Sequence, residues 1–195
     1  MAAKFTRDDV DKFFDYGIDL AHRTIYMGSA SVEADDESGV DAIMAERAIK
    51  ALHILDQKNE PITIIMNNPG GDWYHGMAIY DAIKSCQSEV TVKVLGMGMS
   101  MGAMILQAAD HRQVAPNARI MIHYGYMSWS GDSKKFQKWS DECKRTDEEA
   151  LDILLAKVHE KHPTFKREQL HEMLRDDTIL TAKEAVNLGL ADEVL

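Results

Sequence analysis

Gly96-Met97-Gly98-Met99-Ser100-Met101-Gly102-Ala103 is the stretch on which the reading of this chain turns. It follows the apolar run Val90-Thr91-Val92-Lys93-Val94-Leu95 and precedes Met104-Ile105-Leu106, an order that predicts strand, glycine-bracketed serine and helix. A serine on such a turn exposes its hydroxyl, and the helix start behind it offers unpaired N–H groups and a positive dipole end to a developing oxyanion. Gly98 and Gly102 leave room for a substrate backbone to approach. The same serine could equally do no more than N-cap the helix, and this stretch alone leaves both readings open.

Working outward, Ile62-Thr63-Ile64-Ile65-Met66 is a short apolar run of the kind buried on both faces of a parallel sheet. It leads into a second glycine turn, Asn67-Asn68-Pro69-Gly70-Gly71. A helix follows, with Met77, Ile79, Tyr80 and Ile83 as its expected buried face. Upstream, Thr6 and Asp9 predict a capping-box start to a short helix carrying Val10, Phe13 and Phe14. Arg23 to Met27 reads as a strand ending at Gly28, and Ser29 to Gly39 as an acidic loop. Val40 to about Asn59 reads as an amphipathic helix with Ile43, Met44, Ile49, Leu52 and Leu55 near a 3.6-residue period. Downstream, Gln113-Val114-Ala115 and Arg119 to His123 read as strands, and Gly125 to Gly131 as irregular chain. Ser133 to about His162 reads as one long helix, and Pro163 and Thr164 as the restart of a helix to about Leu174. Thr181 and Glu184 cap a last helix that ends at Leu188-Gly189, and Leu190 to Leu195 closes as a short strand. Alternating strands and helices predict an α/β fold with a largely parallel sheet and flanking helices. Right-handed crossovers then gather the strand C-termini, and with them the two glycine turns, at one edge. The long helix has little core to cover, which suggests a projecting arm that packs on another subunit, and a simple outer-layer helix is the other reading that its pattern leaves open.

With 195 residues, 45% hydrophobic and 28% charged, the chain reads as one globular domain, 1–195, able to bury a core without disulfides or metal. Its net charge of −10 and the lack of a basic stripe argue against nucleic acid or an anionic membrane as partner. Met1 to Phe14 mixes Lys4, Arg7, Asp8, Asp9 and Asp11 with scattered apolar residues, which predicts neither secretion nor a membrane span and places the protein in the cytoplasm. Cys86 and Cys143, far apart in sequence, read as free thiols outside any catalytic role. His159 and His162 lie three apart on a helix, not at the metal-binding spacing of H-E-x-x-H, and no metal or cofactor is expected. The twelve methionines read as gap-fillers and groove lining.

A serine nucleophile needs a base within hydrogen-bond reach, an acid to orient the base, and N–H donors for the oxyanion. His123, at a strand end on the same sheet edge, is the best base. Asp176 and Asp177, where the chain returns towards the sheet before Thr178-Ile179-Leu180, are both candidates for the acid, and the residues alone do not choose between them. The donors would be the backbone N–H groups of Met101 and Gly71.

Several separated motifs closely resemble the proteolytic-subunit family of the ATP-dependent Clp protease. They are Asn67 to Gly71 followed by Gly76-Met77-Ala78-Ile79-Tyr80-Asp81, then Gly96 to Ala103, then Pro116 to His123. Leu180-Thr181-Ala182-Lys183-Glu184-Ala185-Val186 and Gly189-Leu190-Ala191-Asp192 complete the set. The likeness runs from about Tyr16 to the C-terminus. By position, it implies that Ser100 is the nucleophile, His123 the general base and Asp177 the third triad member, with Gly71 and Met101 as oxyanion donors. It also implies a crotonase-like α/β subunit in two stacked heptameric rings, with a handle at about residues 124–162 between the rings and active sites facing an enclosed chamber. Substrates would be unfolded polypeptides or peptides, fed by an AAA+ unfoldase. Thr63 and Ile65 replace aromatic residues of the family's ATPase-docking pocket, which weakens that last expectation. The segment before Tyr16, Tyr124-Gly125 in place of the usual Gln-Pro, and a longer span to Asp177 also depart from the pattern and would suit a phage-borne or accessory peptidase. The alternatives are a non-catalytic ring subunit and an acyl-CoA enzyme of the related crotonase fold. An α/β-hydrolase esterase is set aside, because its acid precedes its histidine in the chain, whereas no histidine follows Asp177 here.

Overall fold

The sheet is organised about β4 (Val90–Met99), whose two halves have different neighbours. A computed structural model describes residues 6–28 and 39–195, so the loop expected from Ser29 lies outside the described residues except for Gly39. Strands β1 (Ile18–Asp19), β2 (Thr24–Gly28), β3 (Ile62–Asn68), β4, β5 (His111–Val114) and β8 (Glu193–Val194) follow one another across the sheet. β6 (Arg119–Ile122) branches from β4 and carries β7 (Thr178–Thr181). Every pairing is parallel except β1 with β2 and β6 with β7. The helices are α1 (Arg7–Tyr16), α2 (Ala42–Leu55), α3 (Trp73–Ser85), α4 (Met101–Leu106), α5 (Ser133–Lys161), α6 (Arg167–Arg175) and α7 (Ala182–Leu188). The α/β architecture with a mostly parallel sheet is the expected one.

Thr91 to Val94 pair with His111 to Val114, whereas Met97 to Met99 pair with Arg119 to Met121. The switch falls at Gly96, with φ of 75°, where a Cβ would sit 2.5 Å from Asn67 Oδ1. The sequence predicts that this strand ends at Leu95. Instead the positive φ bends the ladder and hands it to a new partner, so the strand continues to Met99.

The apolar run in β3 is fully buried on one face only. Ile62, Ile64 and Met66 are sealed in the core with Val90, Val92 and Val94, while Thr63 and Ile65 are half-covered. That second face holds Tyr26, in register with Ile65, and Phe13 of α1 approaches the Tyr26 ring at 6.3 Å. In α2 the buried stripe is Ala45, Ala48, Ala51, Leu52 and Leu55, and Ile43 is 60% exposed. Alanines let α2 lie close on α3; of the large residues in the expected periodicity, Leu52 and Leu55 are buried and Met44 and Ile49 pack against the core, while Ile43 faces out and the alanines complete the face. α5 buries Ala150, Leu151, Leu154, Leu155 and Val158 in its second half and leaves Phe136 and Trp139 exposed in its first. The helix expected from Pro163 starts at Arg167, where the Lys166 N–H finds Gln169 Oε1 at 3.0 Å. The capping boxes at Thr6–Asp9 and Thr181–Glu184 form as predicted.

Candidate active site

Ser100 stands between β4 and α4 with φ 51° and ψ −119°, a backbone conformation that side chains other than glycine rarely adopt. Its N–H donates to Met121 O at 2.8 Å, which ties the turn to β6, and its carbonyl accepts from Ala103 and Met104 as α4 begins. The backbone therefore places Ser100 at the N-cap, but the side chain makes no capping hydrogen bond. Its Oγ lies 2.8 Å from His123 Nε2 instead.

The glycine turn after β3 packs directly on this serine. A Cβ on Gly70 would lie 2.6 Å from Ser100 Cβ and 3.1 Å from Met101 N, so only glycine fits. Asn68 Oδ1 accepts from the Gly70 N–H at 2.9 Å and holds the turn. Val40 brackets Gly71 from the other side, its N–H donating to Gly70 O at 2.5 Å and its carbonyl accepting from Asp72 at 2.8 Å. Among the described residues no hydrogen-bond acceptor meets the Gly71 or Met101 N–H, and both residues line the cavity beside Ser100.

His123 is the first residue after β6, and Asp177 the last before β7. These strands are antiparallel, with Ile122 opposite Thr178. Extending the register by one residue sets His123 against Asp177, and His123 Nδ1 lies 2.9 Å from Asp177 Oδ1. Asp176 falls one step further, at the end of α6, and by the alternation of an antiparallel ladder belongs to the other face. A carboxylate at Nδ1 accepts only, so Nδ1 carries the ring proton and Nε2 accepts from the serine hydroxyl. The His123 side chain is 19% exposed and that of Asp177 67%. The chain before Thr181, expected as a returning loop, is instead the strand β7, which aims Asp177. Its signal was the β-branched run Thr178-Ile179-Leu180-Thr181.

Next to Ser100 opens a cavity of about 620 Å³, walled by the two glycine turns, the chain after His123 and one face of α5. That face is Trp139, Glu142, Cys143, Thr146, Asp147, Ala150 and Leu154, spaced three and four apart. Burial pushes the Asp147 carboxyl above its ordinary range, against the lowering effect of the Gly125 N–H that it accepts. Elsewhere, burial first, then Asp56 and Asp110, pushes the Cys86 thiol up to about 11, which disfavours the thiolate. His159 and His162 bond to Phe165 O and Asn187 O. Among the described residues no group of three or more His, Cys, Asp or Glu gathers as a metal site, and no helix is long and apolar enough to cross a membrane.

The fold is α/β with a mostly parallel sheet, and at its edge a serine, a histidine and a carboxylate are joined by hydrogen bonds; comparison with known proteins makes the class specific. The Clp protease family model matches residues 31–195. The ATP-dependent Clp protease proteolytic subunit of Deinococcus radiodurans is 32% identical over 180 residues, covering 90% of this chain and 81% of that protein. The chain belongs to the Clp protease family, and that membership supports a serine peptidase function in general terms.

Proposed function

We propose that the chain is a serine endopeptidase in which Ser100, His123 and Asp177 form the catalytic triad. The observation that carries this reading is the unbroken hydrogen-bond chain from Ser100 Oγ through His123 to Asp177, built on a serine held at positive φ. His123 Nε2 takes the hydroxyl proton as Ser100 Oγ attacks the peptide carbonyl. Asp177 holds the Nδ1–H tautomer and stabilises the imidazolium, which then gives its proton to the leaving amine. Water, activated by the same imidazole, cleaves the acyl-serine and returns the enzyme. The N–H groups of Gly71 and Met101, unpaired among the described residues, donate to the tetrahedral oxyanion.

The substrates are unfolded chains or peptides, and the domain, 1–195, works within two stacked heptameric rings whose contact region is the handle at about 124–162. Tyr126, 93% exposed, and the exposed Phe136 in the first turn of α5 support such a contact. An AAA+ unfoldase is a weaker partner than usual for the family, with Thr63 and Ile65 beside Tyr26 where further aromatic rings would stand. The test is the intact mass after incubation with a fluorophosphonate, with Ser100→Ala as control. One adduct on the wild-type chain and none on the variant is expected, with peptidase activity falling by about 10⁴-fold or more in the variant. An unlabelled wild-type chain in assembled protein would turn the reading towards a non-catalytic ring subunit.

A further inference from the structure

The cavity beside Ser100 has a composition that the catalytic chain does not use. Its floor is apolar, from Met101, Met104, Met121 and Leu154, and its rim carries the carboxylates of Asp72, Glu142 and Asp147. No lysine or arginine is among the described residues that line it. Two of the three carboxylates are already committed. Asp72 caps α3 through the His75 N–H at 2.9 Å. Glu142 is paired with Arg145 and accepts from the Tyr74 hydroxyl at 3.3 Å. Asp147 is half-buried and meets only the Gly125 N–H, with no ion pair among the described residues.

Resting on the peptidase reading above, we propose that this cavity receives the substrate side chain on the acyl side of the scissile bond and that Asp147 makes it select lysine or arginine. A long aliphatic stem can lie along the methionine floor, as basic side chains do on apolar surface, and carry its charged end to the rim. The Trp139 ring on the same wall offers a cationic head a π face. Asp147 is the rim group that gains most, because a carboxylate partly withdrawn from water without a cation bears a cost that a bound ammonium or guanidinium relieves. Its raised protonation range is the mark of that unrelieved burial. A purely apolar side chain would fill the floor equally well but would leave the carboxylate uncompensated.

The experiment compares labelling rates of the full-length protein by two peptidyl diphenyl phosphonates that differ only in a lysine or a norleucine side chain, with a fluorophosphonate as the reference for serine reactivity. The lysine probe is expected to react about tenfold faster, the worth of one hydrogen bond between charged groups. Asp147→Asn keeps an acceptor for Gly125 and is expected to bring the lysine-to-norleucine ratio to about one, each rate taken relative to that variant's own fluorophosphonate rate, while Asp147→Glu keeps the preference. Faster labelling by norleucine in the wild type, or an unchanged ratio in Asp147→Asn, overturns the proposal. Binding of p-aminobenzamidine to Ser100→Ala protein, followed by its fluorescence, needs no nucleophile. Binding that weakens in the Asp147→Asn double variant supports the pocket even where the fluorophosphonate fails, and its absence where the fluorophosphonate succeeds sinks the pocket and leaves the triad standing.

Discussion

Two aspartates in this molecule each hold a basic side chain, and they are built in opposite ways. Asp192, before β8, grips Arg112 of β5, whose side chain is only 6% exposed. The Arg112 guanidinium also donates to Gln107 Oε1 and Gly189 O, each at 2.9 Å, and its backbone N–H meets Asp192 Oδ2 at 2.7 Å. Four of the five guanidinium N–H groups are committed, with Glu160 3.9 Å from Nη2, and the group ties β5, α7 and β8 together. Asp177 reaches His123 through one hydrogen bond and is otherwise largely open to water. The other nitrogen of His123 faces a hydroxyl that can give up its proton. A saturated pair fixes structure, whereas a pair with one free valence can move a proton. The contrast predicts that removing one carboxylate costs activity and removing the other costs stability.

The larger effect is expected at Asp177. Asp177→Asn keeps the shape but offers Nδ1 an amide that can present its own N–H, so the tautomer is no longer enforced, and kcat should fall by about 10³ to 10⁴-fold. The melting temperature should fall by no more than about 2 to 4 °C, because a pair whose carboxylate is largely exposed contributes less than about 1 kcal/mol. A variant that unfolds instead, or that keeps its rate, breaks the comparison on the active-site side. Peptide hydrolysis and thermal unfolding on the same preparation read both.

Asp192→Asn is the converse. Breaking a fully buried pair costs about 3 to 5 kcal/mol, and the 39% exposure of the Asp192 side chain brings the expectation here to about 2 kcal/mol. For a chain of this length that is a fall of about 4 to 8 °C in melting temperature. Below that melting range the fluorophosphonate labelling rate of Ser100 should be unchanged. A labelling defect at low temperature would mean that the network around Arg112 reaches the triad.

The sequence is most legible where chemistry is written in neighbouring residues. The serine between glycines, the second glycine turn and the histidine at a strand end follow from local spacing, and the structure brings Ser100, Gly70 and His123 together. What escaped depends on pairing between distant segments. β7 is four residues long and makes sense only opposite β6, and without that register Asp176 and Asp177 are equivalent. Family resemblance, not spacing, singled out Asp177. The handover of β4 at Gly96 likewise needs β6 in place. The alanine face of α2 was hidden because a pattern of large apolar residues is a proxy for burial, and closely packed helices bury small ones.

The smallest expected effect lies in the acid dependence of stability, where Asp192 and Asp147 pull in opposite directions. Burial alone would raise the Asp192 carboxyl, but the Arg112 side-chain and backbone donors outweigh it and leave it below its ordinary value of 3.8. The unfolded chain then binds that proton more readily than the folded one. The stability Asp192 supplies is therefore complete above about 3.8 and is lost as the pH falls through its lower, folded value. Asp147 is raised by burial, so the folded chain holds the proton longer. Its contribution worsens as the pH rises from 3.8 through its folded value and recovers on the way down. Unfolding midpoints taken from neutral pH downward should therefore lose their steepest acid limb in Asp192→Asn, whereas Asp147→Asn should remove a small stabilising rise just above 3.8. If both variants track the wild type through acid, neither carboxyl is held by the folded chain as its surroundings imply, and the saturated network around Arg112 would contribute no more than the open pair at His123.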